Sequence, residues 1–200
     1  MPPMLTLLTG ILAGAIHVAS GPDHLAALAP IALRSRTAAL RAGASWGVGH
    51  GIGVVSIGLV AMSFRGLVAS WMSAGSERLV GYLLLGVGAW ALLAAKRGTV
   101  DAVRHEGHVH VAVGVGILHG AAGTGHLLAV VPALALPPAL AGVYLTGFLA
   151  GAVLAMSMFA AGIGALARRW GPGGVRAVMA ASGVVAIGVG AVWIATAVGP

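Results

Sequence analysis

The chain has 200 residues, with 8% charged and 59% hydrophobic residues and a mean hydropathy of +1.02. A soluble domain carries ~25% charge, so this composition excludes an ordinary soluble enzyme and a disordered tail and points to lipid as the solvent. The absence of cysteine excludes disulfides, thiolate ligands and a dithiol relay.

The opening Met-Pro-Pro-Met lacks the basic stretch of a secretory signal, so the first apolar run is read as retained. A membrane span needs ~20 apolar residues. Apolar runs cover Leu5–Leu33, Ala42–Phe64, Leu79–Ala95, Val109–Leu136, Ala139–Ala167 and Val175–Val198. The first and fourth are overlong and interrupted, and the others read as plain helices. Gly47 with Gly51, Gly49 with Gly53, and Gly147 with Gly151 have the GxxxG spacing that lets helices approach closely in lipid. Trp46, Trp71, Trp90, Trp170 and Trp193 fall near predicted span ends, where interfacial anchors belong.

The net charge is +7 with histidines neutral, and its distribution argues against nucleic acid as a partner. Loops 1–2, 3–4 and 5–6 share one side of a six-span chain and hold Arg34, Arg36, Arg41, Lys96, Arg97, Arg104, Arg168, Arg169 and Arg176. The other side holds Arg65 and Arg78. The excess places the first set in the cytoplasm and both termini outside a cytoplasmic (inner) membrane, with anionic membrane lipid as the partner of the basic face.

An internal repeat appears at an offset of 102. Residues 14–30, GAIHVASGPDHLAALAP, align with residues 116–132, GILHGAAGTGHLLAVVP, with eight of seventeen positions identical, among them His17/His119 and His24/His126. The register continues as Gly49/Gly151, Gly86/Gly188 and Gly88/Gly190. Each copy holds three spans, an odd number, so the two copies must be inverted. The expected fold is an all-α membrane protein of six transmembrane helices in a 3+3 inverted repeat, the first helix of each repeat broken near the midplane. One transmembrane domain covers 1–200, with repeat 1 at 5–96, a cytoplasmic His-containing loop at 97–110 and repeat 2 at 109–198.

Asp23 is the single acid inside an apolar run; Glu77, Asp101 and Glu106 fall in loops. A charge at the bilayer centre costs at least ~2.5 kcal/mol, so it should face a cavity or a partner. His17, His24, His50, His119 and His126 also lie on apolar spans. On an unbroken helix His17 and His24 stand ~10.5 Å apart along the axis, too far for one ion with bonds of ~2.1 Å. Gly21-Pro22 lies between them, and Pro22 should break the helix. Gly123 and Gly125 could bend the second copy. Imidazoles with one carboxylate and no thiolate suit borderline divalent ions such as Ni²⁺, Co²⁺, Zn²⁺ or Cu²⁺. A single membrane histidine more commonly bonds a neighbouring helix than binds metal, and that plainer role stays open for His50 and His119. His105, His108 and His110 form a short loop cluster suited to loose metal handover, or to a plain solvated linker.

The stretch from His17 through Gly21-Pro22-Asp23 to His24 resembles the His-x(4)-Asp-His signature of the nickel/cobalt transporter family (NiCoT). It is still more similar to the His-x(5)-Asp-His form in urease accessory protein UreH-like membrane proteins. Trp46-Gly-Val-Gly-His50-Gly resembles the family's Leu-Gly-His motif, and the segment from Gly116 through His119 resembles the UreH-like second-half motif. The resemblance implies Ni²⁺ first and Co²⁺ next as transported substrate, with no permanently bound cofactor and with the signature histidines and Asp23 as ligands. A metal chaperone or a urease or hydrogenase maturation protein is the implied partner. The leading expectation is a secondary transporter of a divalent transition metal. The alternatives are a metal efflux permease of the same fold and a sulfite-type anion exporter. Enzymatic activity is not expected, because Asp23 is the only intramembrane carboxylate and no separate general base accompanies it.

Overall fold

In a computed structural model of the chain, residues 2–33, 36–63, 70–97, 109–121 and 131–197 are described. They are helical, with no strand among them. The helices are α1 (Pro3–Ser20), α2 (Pro22–Ala32), α3 (Arg36–Ser63), α4 (Ser70–Arg97), α5 (Val109–Ala121), α6 (Pro138–Arg169) and α7 (Gly171–Thr196). Residues 131–134 are helical as well.

Proline punctuates these elements where its missing N–H does no harm. Pro3, Pro22 and Pro138 each open a helix, a position whose N–H would have no partner in the preceding turn. Between α6 and α7 the chain reverses through Trp170 and Gly171, and Gly171 takes φ +68. That left-handed value strains any residue with a Cβ.

Glycines set how closely the helices approach, and their contacts reveal direction. A Cβ at Gly10 would overlap the carbonyl of Tyr144, and one at Gly14 that of Phe148. Reciprocally, one at Gly147 would overlap Leu7, and one at Gly151 would overlap Ile11. Positions rise together along α1 and α6, so these helices run parallel. Gly49 meets Val113 and Gly53 meets Ile117, so α3 and α5 also run parallel. Gly43 meets Met156, Gly47 meets Val153 and Gly51 meets Leu149, which makes α3 and α6 antiparallel. Gly81 against Gly190 and Gly88 against Gly183 make α4 and α7 antiparallel. The expected GxxxG pairs therefore face neighbouring helices: Gly49 and Gly53 toward α5, Gly47 and Gly51 toward α6, and Gly147 and Gly151 toward α1. Close backbone approach at small residues is how helices gain dispersion contacts where apolar burial offers little.

A few polar side chains join an otherwise apolar core, and large apolar side chains stand on the outside. Thr6, Asp23, His24, His50, His119 and Ser182 are buried, whereas Leu12, Ile16, Met158 and Val184 are each more than 60% or close to 60% exposed. Five helices are long and apolar enough to cross a membrane: Pro3–Ser20, Arg36–Val60, Glu77–Arg97, Pro138–Arg169 and Gly171–Thr196. The described part of α5 is 13 residues long. Leu33, Ala94, Ala95, Ala167 and Met179 pack in one cluster with Val175. The end of α2, the ends of α4 and α6 and the start of α7 thus gather at one end of the bundle. Exposed Lys96, Arg97, Arg168, Arg169 and Arg176 flank that cluster.

Trp46 departs from the interfacial role expected for it. It is 4% exposed, because it sits on the α3 face turned toward α5. Trp90 and Trp170 are exposed, and Trp193 is half-buried against the core. The side chain of Trp71 lies outside the described residues.

Candidate functional site

The site begins at the joint between α1 and α2. Pro22 has no N–H to donate into the preceding turn, and the helix ends at Ser20. Gly21 closes the break, its N–H donating to the carbonyl of Val18 at 3.3 Å. The Ser20 hydroxyl donates to the carbonyl of His17 at 3.1 Å. Gly21 adopts φ −92 and ψ 101, open to any residue. Its small size matters instead, because the His24 ring and the Asp23 carboxylate fold back over it. A Cβ there would overlap His24 Nδ1 and stand 2.8 Å from Asp23 Oδ1.

The break brings the last turn of α1 and the first turn of α2 to one point. The His17 and His24 rings lie 5.0 Å apart, edge to face, instead of ~10.5 Å along a continuous helix. Asp23 in that first turn gains the favourable field of a helix N-terminus. The paired α3 and α5 bring two further imidazoles. Gly116 and Gly120 of α5 form a notch that receives the backbone of His50, so His50 and His119 face each other with ring centroids 5.7 Å apart.

Four histidines and one aspartate therefore converge, all buried except half-buried His17. His17 Nε2 and His50 Nε2 are 3.3 Å apart. His24 Nδ1 lies 3.1 Å from Asp23 Oδ1, and His119 Nε2 lies 3.1 Å from Asp23 Oδ2. Two overlapping groups, His17 with His24 and His50, and Asp23 with His24 and His119, each place their ligand atoms within 4.8 Å of one another. His24 belongs to both. The surroundings are aromatic: Phe148 lies 5.5 Å from His17 and Trp46 lies 6.1 Å from His119, ring to ring.

Neither aromatic wall was singled out from the sequence as part of a site. The signal was present, because Trp46 and Phe148 are themselves 102 residues apart, as are His17 and His119. Of the other expected site residues, His126, Gly123 and Gly125 lie outside the described residues, as do His105 and His108. His110 is exposed at the start of α5 and belongs to neither ligand group.

Chemically, this cluster suits a borderline divalent cation. Two ligands on a tetrahedral ion with bonds of ~2.1 Å stand ~3.4 Å apart, close to the 3.3 Å between the His17 and His50 nitrogens. A buried carboxylate is costly without donors, and Asp23 has an imidazole at each oxygen.

Two Arabidopsis thaliana proteins, Chloroplast protein FOR GROWTH AND FERTILITY 1 and Chloroplast protein FOR GROWTH AND FERTILITY 2, are similar to this chain. Each is 35% identical, over 178 and 176 residues, covering 78% of this chain and 48% and 46% of their own lengths. The chain spans about half the length of the curated relatives it matches. No family model matches it, and no solved structure matches it.

These findings correct the sequence reading. The resemblance to nickel/cobalt transporters and UreH-like proteins is not upheld, since the relatives found are chloroplast growth and fertility proteins. Nickel or cobalt transport loses its support with it, and so do the efflux permease and the sulfite-type exporter. The cytoplasmic inner membrane is likewise unsupported, because both relatives are named as chloroplast proteins. The physical reason for the error is specific. A short run of histidines and one aspartate at a helix break constrains what can be bound, and it carries no information about whether the bound species moves.

Proposed function

We propose that this chain is a helical membrane protein that holds one divalent transition-metal ion of the borderline class at the His17/Asp23/His24/His50/His119 cluster. The observation that carries the reading is the convergence of four imidazoles and a single carboxylate, from α1, α2, α3 and α5, inside a molecule whose outer surface is apolar. The donor set fits: nitrogen-rich, thiolate-free, and with a nitrogen pair at the edge length of a tetrahedral ion.

The membrane arrangement we propose is six crossings in two inverted copies of three, with anionic lipid at the basic end. Packing supports it. Gly14 meets Phe148 as Gly116 meets Trp46, Gly49 meets Val113 as Gly151 meets Ile11, and Gly88 meets Gly183 as Gly190 meets Gly81. Every one of these pairs maps onto the other at the offset of 102. Direction agrees, because the equivalent helices α3 and α6, and α4 and α7, run antiparallel.

Purified protein in detergent, stripped with a chelator and titrated with Zn²⁺, should take up one ion per chain by elemental analysis after desalting. His24→Ala should lose at least tenfold in affinity. A wild-type chain that retains no Zn²⁺ or Cu²⁺ above the level of a His17→Ala/His24→Ala/His50→Ala variant would end the proposal.

A further inference from the structure

Resting on the metal reading above, we infer that Asp23 is a positioning residue and not a metal ligand, and that the ion sits on the nitrogens of His17, His24 and His50. Two overlapping groups compete for the ion, and three observations favour the all-histidine one. First, each oxygen of Asp23 already has a ring nitrogen beside it, His24 Nδ1 and His119 Nε2, both at 3.1 Å. An ion between Asp23, His24 and His119 would have to displace both contacts in a buried site. Second, His17 Nε2 and His50 Nε2 face each other at 3.3 Å, the separation that two nitrogens take on a common tetrahedral ion. Third, His17 is half-buried while Asp23, His24 and His119 are buried, so the all-histidine group is the one with an approach from outside.

The geometry then assigns each atom a role. Nδ1 of His24 stands 3.1 Å from Asp23 Oδ1, so the carboxylate would steady that edge of the ring and turn Nε2 toward the ion. This is the carboxylate–histidine–metal relay, in which an outer carboxylate fixes the tautomer and aim of a ligating imidazole. Oδ2 lies 3.1 Å from Nε2 of His119, which flanks the carboxylate on its other side. His119 is thus one step further out, backed by Trp46. The inert role of the second-copy histidine also accounts for the asymmetry between repeats. Asp23 aligns with Gly125 and His50 with Ala152, so one copy supplies the ligands and the other supplies the buttress.

The test is electron paramagnetic resonance of Cu²⁺ bound to the purified full chain in detergent, with pulsed detection of coupled imidazole nitrogens, beside Cu²⁺ affinity by competition. Asp23→Asn should weaken affinity about 10- to 100-fold while the g values and the count of three coupled imidazoles stay as in wild type. His119→Gln should also keep three, and His17→Ala should drop the count to two. Loss of an oxygen ligand in Asp23→Asn, or loss of a coupled nitrogen in His119→Gln, would overturn the inference while leaving the metal site standing. A wild-type chain that binds no Cu²⁺ would overturn the metal reading and this inference together. If Asp23→Asn fails to fold, His119→Gln alone decides, because the competing site requires that nitrogen.

Discussion

Gly21 shows how much one missing side chain can do. The residue joins α1 to α2, and its empty Cβ position is where His24 Nδ1 and Asp23 Oδ1 sit. Alanine is compatible with the backbone there, since φ is negative. The cost of Gly21→Ala therefore falls on the site and not on the helices. Expected is a loss of about tenfold or more in metal affinity, on the scale of a disturbed outer shell, with a melting temperature within a few degrees of wild type. Isothermal titration and thermal unfolding of the same preparation would separate the two; unaltered affinity would show that the ring contact is idle. Pro22, and the need to bring His17 and His24 together, were legible in the sequence because proline has one meaning inside an apolar helix. The role of Gly21 was legible only as a break, because sequence spacing does not say which ring folds back over which Cα.

At the scale of helices, the α3–α5 contact places half of the cluster. A Cβ at Gly116 would stand 2.5 Å from the carbonyl of Trp46 and 2.9 Å from the amide of His50. These are backbone atoms, which cannot rotate away. Gly116→Leu should force α5 off α3, destabilise the fold by about 1–3 kcal/mol as overpacking does, and part His50 from His119. Gly114 lies on the same helix with open space at its Cβ position, so Gly114→Leu should leave the unfolding midpoint near wild type. Equal midpoints for the two variants would refute this account of the interface. The helix cores were legible as apolar runs, but their ends were not. Apolar runs at Ala42–Phe64 and Leu79–Ala95 became α3 at Arg36–Ser63 and α4 at Ser70–Arg97. Hydropathy sees only the hydrocarbon layer, whereas Arg, Lys and Ser continue a helix readily into the headgroup zone. Trp46 was misplaced for a related reason. An indole suits either an interface or a buried aromatic wall, and composition alone does not choose.

For the whole molecule, the testable matter is sidedness. The chain has no cysteine, so every introduced thiol is a unique label site. Six crossings require Arg97→Cys and Trp170→Cys to react from one side of a sealed membrane, and Met4→Cys and Ala139→Cys from the other. A membrane-impermeant maleimide on oriented vesicles reads this directly, and labelling of Met4→Cys and Trp170→Cys from the same side would exclude the topology. Histidines and glycines recurring at 102 residues were readable in the sequence, and the inverted plan proposed above is drawn from them. What the protein does was not readable, because a binding motif and a transport activity are separate properties.

The single-residue joint at Gly21 has a mechanical side. α1 is docked along α6 by its glycines, whereas α2 packs chiefly against α7. His17 belongs to the first unit and His24 to the second, with Gly21 as the joint between the two helices. An ion on both rings works as a rivet across the joint, and its binding free energy becomes resistance to prising the two halves of the broken helix apart.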